Sequence, residues 1–124
     1  MSDYPLFYRS IEDLGLLIRS GVISPLDLVT SHLERIDKLD STVNAFITVL
    51  RKDALKHSKV AASEILSGEY KGPLHGIAVG LKDIIDVEGI PTTAGSRILK
   101  ENVASSDSTI VKRLKNGGAT ILGK

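Results

Sequence analysis

The sequence contains no cysteine, and that one absence removes a thiol nucleophile, a disulfide frame and thiolate metal ligation together. An excess of charge is also missing. The 16 basic and 15 acidic residues nearly balance, and no Lys/Arg stripe forms, which argues against nucleic acid as a direct partner. No apolar run is long enough to span a bilayer. The opening residues, MSDYPLFYRS, lack the basic end, apolar centre and small-residue cleavage site of a signal peptide. The three histidines, His32, His57 and His75, lie far apart with no acidic partner at a metal-ligand spacing. The expectation is a single domain over residues 1–124, cytoplasmic, with a modest core and no metal or other cofactor.

What is present is an alternation of helical and extended patterns. Ser10 caps a short helix carrying Ile11, Leu14, Leu17 and Ile18 on one face, with Gly21 just past its end. Ser24, Pro25 and Asp27 form a capping box that opens a second helix, along which Leu26, Val29, Leu33 and Ile36 recur at helical spacing. The run VNAFITVL, Val43 to Leu50, is apolar and partly β-branched and predicts a strand. From Arg51 the period is helical again, with Ala54, Ser58, Ala61 and Ile65 in one row and Gly68 at the end. Ser106 or Asp107 is placed to cap a helix with Ile110, Val111 and Leu114, stopped by Gly117-Gly118, and Ala119 to Leu122 begins a further strand. The class predicted is α/β. Because that last strand has scarcely begun at Lys124, the chain is expected to be the N-terminal part of a larger domain.

The chemistry is concentrated in GPLHGIAVGLKDIIDVEGIPTTAGS, Gly72 to Ser96. Gly76 to Ile85 is apolar apart from Gly80, Lys82 and Asp83 and predicts a buried strand. An ammonium in such a run is costly unless it is paired, neutralised or functional. Two readings of Lys82 follow from composition: it reaches solvent at a strand end and pairs with Asp83 or Asp86, or it acts in chemistry. Gly76 and Gly80 would let another backbone or a substrate approach closely. A phosphate-binding loop is excluded, because the glycines are one residue too close and Asp83 stands where a magnesium-holding hydroxyl belongs. On an extended strand Asp83 and Asp86 would face opposite ways, which argues against joint acid–base work. His75 reads as a structural histidine. Thr92, Thr93 and Ser96 read as polar loop support, since Arg97 and Ile98 do not supply a nucleophile elbow around Ser96.

These residues closely resemble the amidase signature family. The likeness is carried by His75-Gly76-Ile77-Ala78-Val79-Gly80-Leu81-Lys82-Asp83, Asp86-Val87, Gly89, Pro91-Thr92-Thr93 and Gly95-Ser96. It resumes at Asp107-Ser108-Thr109-Ile110-Val111 and runs through Leu114 to Gly117–Lys124. Ala78 and Gly80 depart from the family's frequent proline and alanine. The resemblance implies an amidase signature fold, of which the N-terminal helices and first strands of a mixed sheet are present. It also implies amide hydrolysis by a serine nucleophile, a second serine in a cis peptide, and a lysine acting as base. Lys82 falls on the family's catalytic lysine. Neither serine can be assigned, because the family's GSSGGS-type loop is absent from these residues; the implied parent is an amidase and the chain alone is expected to be inactive.

Two substrates fit the resemblance: a carboxamide taken by a stand-alone amidase, or glutamine, from which the amidase-type subunit of a glutamyl-tRNA amidotransferase releases ammonia. The implied partners are a small amide substrate and either amidotransferase subunits or further copies of the chain, paired through open strand edges. From outside the enzymes, a non-catalytic module could use the amphipathic helices before Leu39 as a binding face.

Overall fold

Local capping fixes the first half of the fold. The computed structural model describes residues 4–124; of the single domain expected over 1–124, the first three residues lie outside the described part. After a 3-10 turn at Leu6–Tyr8, helix α1 spans Ile11–Arg19, with the Ser10 side chain accepting from the Asp13 N–H. Helix α2, Pro25–Val43, starts on the capping box read from the sequence: Ser24 Oγ accepts the Asp27 N–H at 3.1 Å, and the Ser24 N–H donates to Asp27 Oδ2 at 2.8 Å. Helix α3 spans Arg51–Leu66 and buries Ala54, Ser58 and Ala61, three of the four residues in the expected row.

The strand expected over Val43–Leu50 does not form. Helix α2 runs on to Val43 and ends at Asn44 in the left-handed region, where Asp40 Oδ1 accepts the N–H groups of Ala45 and Phe46 at 2.8 and 3.1 Å. Local hydrogen bonding at that reversal uses up the first residues of the run. Only its end reaches a partner: the Leu50 N–H donates to Leu122 O, and Val49 bridges Gly123 antiparallel.

The sheet proper is small. Strand β1, Ala78–Gly80, pairs in parallel with β2, Thr120–Gly123, through the crossover helix α4, Thr109–Asn116. The register slips between Val79 and Gly80, so β1 is far shorter than the buried run expected from Gly76 to Ile85. Such a bulge breaks the ladder and re-aims the residues that follow. Helix α4 is capped by Ser108 rather than by Ser106 or Asp107; the Asp107 carboxylate instead accepts the Glu88 N–H at 2.8 Å and pairs with Lys115 at 2.6 Å.

All four β2 residues are buried, and their alternation joins the two layers. Leu122 packs with Val29, Leu33 and Ala54 of α2 and α3, while Ile121 packs with Val111 of α4 and with Val87. A third cluster joins Leu14 and Ile18 of α1 to Leu28 and Ile77. Helices thus cover both faces of the sheet, the α/β architecture expected from the sequence.

His75 is the structural residue it was read to be. It is buried, its Nδ1 accepts the Lys71 N–H at 3.1 Å, and Nε2 lies 2.9 Å from Glu64 Oε2. Gly118 lies against the imidazole with φ +80°, and a Cβ there would meet His75 Cδ2 at 2.3 Å. Gly118→Ala therefore combines left-handed strain with overpacking and is expected to cost about 2–4 kcal/mol. A denaturant melt within about 0.5 kcal/mol of wild type would show that the imidazole can move aside. Close approach also occurs at Gly76, where a Cβ would meet Pro25 Cγ at 2.6 Å; the neighbour there is the start of α2.

Candidate active site

The turn after β1 is held from below by β2. The Leu81 N–H donates to Gly123 O at 3.0 Å, and the Ile85 N–H closes a turn onto Lys82 O at 3.1 Å. Lys82 reaches solvent, as one of its two readings had it, but it pairs with neither Asp83 nor Asp86. Its side chain has no hydrogen-bond or ion-pair partner among the described residues. It lines a cavity of about 340 Å3 together with Ile47, Leu81, Ile84, Gly95 and Lys124. The strand ends at Gly80, just after a slip in register between Val79 and Gly80, and Lys82 lies in the turn that follows.

The buried lysine is Lys124, which sequence reasoning missed. Its side chain is wholly inaccessible, and all three ammonium protons have acceptors: Pro91 O and Thr92 Oγ1 at 2.8 Å each, and Asp83 Oδ1 at 2.9 Å. A lysine directly after the apolar run Thr120–Gly123 was the available signal, the same one that drew attention to Lys82. The Asp83 carboxylate is buried as well, and its second oxygen accepts the N–H and the hydroxyl of Thr93. Thr92 and Thr93 thus provide the polar loop support expected of them. Ser96 does so locally, accepting the Ile98 N–H at 3.3 Å. The loop is itself fixed, because the Thr92 N–H donates to Asn102 O and Asn102 Nδ2 to Thr92 O.

Charge follows this arrangement. Burial acts most strongly on Asp83 and pushes its pKa up, but the hydrogen bonds from Thr93 and Lys124 together outweigh it and hold the carboxyl below its ordinary range. Asp107 behaves alike, with burial overcome by Lys115 and the Glu88 N–H. Glu64 is lowered chiefly by the Lys71 hydrogen bond. A carboxyl with a depressed folded pKa stabilises the fold above its unfolded value, about 4, and loses that contribution as pH falls through the folded value. The melting temperature is accordingly expected to be flat on this account above about pH 5 and to drop below about pH 4. A chain that melts higher at pH 3 than at pH 6 would contradict these pairings.

Elsewhere, a groove along α2 between Phe7, His32, Leu39 and Phe46 is also lined by Arg35 and Asp40, and no hydrogen bond or ion pair joins His32 to Asp40 among the described residues. No group of three or more metal-ligating side chains occurs among the described residues. No described helix is long and apolar enough to cross a membrane.

The chain belongs to the Amidase family, the amidase signature enzymes, whose family profile matches residues 27–124. Among curated relatives, it is 40% identical over 124 residues to a glutamyl-tRNA(Gln) amidotransferase subunit of Salinispora tropica, covering 100% of this chain and 25% of that protein. It is 42% identical over 119 residues to the same subunit of Geobacter sp. strain M21, covering 96% of this chain and 24% of that one. Among solved structures, native peptide amidase from Stenotrophomonas maltophilia superposes with a TM-score of 0.90 at 35% identity, over 97% of this chain and 25% of that one. A bacterial aryl acylamidase of the amidase signature family does so at 0.87 and 27%, over 97% of this chain and 25% of that one. The chain thus spans about a quarter of the length of these relatives.

Proposed function

We propose that this chain contributes the base, Lys82, to a serine-dependent amidase that hydrolyses a carboxamide to carboxylate and ammonia. The observation that carries this reading is the unpartnered Lys82 ammonium at the cavity, while the neighbouring Asp83 carboxylate is turned away into its own ion pair. A base must reach its proton donor and must not be held in a salt bridge, and this arrangement leaves Lys82 available. In the reaction, neutral Lys82 takes the proton of a serine hydroxyl through a bridging serine held in a cis peptide. The serine oxygen attacks the amide carbonyl and the C–N bond breaks. The proton passes back to the leaving nitrogen, and water then cleaves the acyl-enzyme. The two serines and the oxyanion donors belong to segments outside residues 1–124. The dry surroundings that would favour neutral Lys82 would have to be completed by those segments, because the lysine is exposed here.

A second reading is favoured by the names of the curated relatives. Both are subunits of glutamyl-tRNA(Gln) amidotransferase, so the amide would be glutamine and the partners further amidotransferase subunits. Ammonia release from glutamine and from a panel of simple carboxamides by the full-length protein distinguishes the two. Activity on glutamine alone supports the amidotransferase reading, and activity on simple amides supports the stand-alone enzyme. Residues 1–124 alone are expected to release no ammonia from any of them. Turnover by the isolated segment that depends on Lys82 would contradict the missing serines.

A further inference from the structure

Both chain neighbours of Lys82 are tied to the same end of β2. On one side the Leu81 N–H donates to Gly123 O at 3.0 Å. On the other, the Asp83 carboxylate is gripped by Lys124, 2.9 Å away and wholly buried, while the Asp83 carbonyl accepts the Ala94 N–H at 2.9 Å. With residues 81 and 83 both tied, the turn that places Lys82 at the cavity is fixed on either side of it. Lys124 also grips, through Pro91 O and Thr92 Oγ1, the loop whose Ala94 and Gly95 line that cavity. One ammonium therefore joins the turn that carries Lys82 to the loop that faces it. Ordinary core packing does not require this: an apolar side chain at 124 would fill the space and leave the turn joined to β2 and the loop by backbone hydrogen bonds alone.

We propose that Lys124 and Asp83 are a positioning pair that sets the reach of Lys82, and that Thr92 and Thr93 are the loop's grip on that pair. The proposal rests on the reading of Lys82 as the base. Lys124 touches no reacting atom. It acts through Asp83, and its loss should be felt in turnover rather than in substrate binding.

The test uses the full-length protein and the isosteric double variant Asp83→Asn/Lys124→Met, which removes both charges so that neither is left buried alone. With the amide turned over best by wild type, kcat is expected to fall about 100-fold while KM stays within about threefold, the signature of a misplaced catalytic group. The acid limb of the kcat–pH profile is expected to move, since it reports the base. Amide exchange at Leu81 is expected to quicken at least about tenfold as the turn opens. Should the double variant not fold, Thr93→Val removes only the hydroxyl on Asp83 and is expected to give the same pattern more weakly. Wild-type kcat with an unmoved acid limb, or Leu81 exchange as slow as in wild type, would overturn the pairing. Lys82→Ala in the same assay separates the two levels: wild-type rates there defeat the base reading, while Leu81 exchange still reports on the pair.

Discussion

Lys82→Ala in the full-length protein is expected to lower kcat for amide hydrolysis by about 10²–10⁴-fold, the usual worth of a positioned general base, with almost no change in stability. The two halves of that expectation have separate causes. The loss of rate follows from removing the group that accepts the serine proton. The preserved stability follows from the lack of any hydrogen-bond or ion-pair partner for Lys82 among the described residues, so that its removal strands no buried charge. Parallel measurement of ammonia release and of a thermal melt checks both. A variant that loses activity only because it unfolds would show a lowered melting temperature, and a variant with wild-type kcat would remove Lys82 from the chemistry.

Lys124→Met is expected to do the opposite in stability, costing about 3–5 kcal/mol by leaving the Asp83 carboxylate buried without its cation. Adding Asp83→Asn should recover much of the loss, because the second change removes the stranded charge. If the single variant melts within about 0.5 kcal/mol of wild type, the ion pair does not hold the turn to β2. If the double variant is no better than the single one, the cost lies with the Pro91 and Thr92 acceptors rather than with the carboxylate. The contrast between the two lysines is physical: one is exposed and unpaired, the other inaccessible with every proton used.

The parts of this arrangement that depend on near neighbours in the chain were legible in the sequence. Ser10 and the Ser24–Asp27 box announce α1 and α2 because a cap bonds only three residues ahead. The row Ala54, Ser58, Ala61 marks the buried side of α3 by its period alone. Where the pattern misled, a competing local or distant contact decided. Val43 to Leu50 has β-branched character, yet Asp40 draws the N–H groups of Ala45 and Phe46 into the end of α2, and only residues 47–50 reach the sheet. Gly76 to Ile85 reads as one buried run, but the strand is only Ala78–Gly80, its register slipped between Val79 and Gly80, and Lys82 is exposed in the turn that follows.

Of the site, Lys82 and the supportive threonines stood out in the sequence, whereas Asp83 and Lys124 meet from opposite ends of a crossover that includes the whole of α4. No spacing rule links residues so distant. Nor did any pattern show that His75 would meet Glu64 across the end of α3. Family resemblance supplied the role proposed for Lys82, while the contacts that hold its neighbours came from the structure.

The central claim is that Lys82 activates a serine carried by another segment of the same enzyme. It is tested most directly by treating the full-length protein and its Lys82→Ala variant with a serine-acylating fluorophosphonate and locating the adduct by mass spectrometry. A single adduct on a serine outside residues 1–124, formed in the wild type and slowed by about 100-fold or more in the variant, is the expected result. An adduct on Ser96, or labelling that proceeds equally without Lys82, would contradict it.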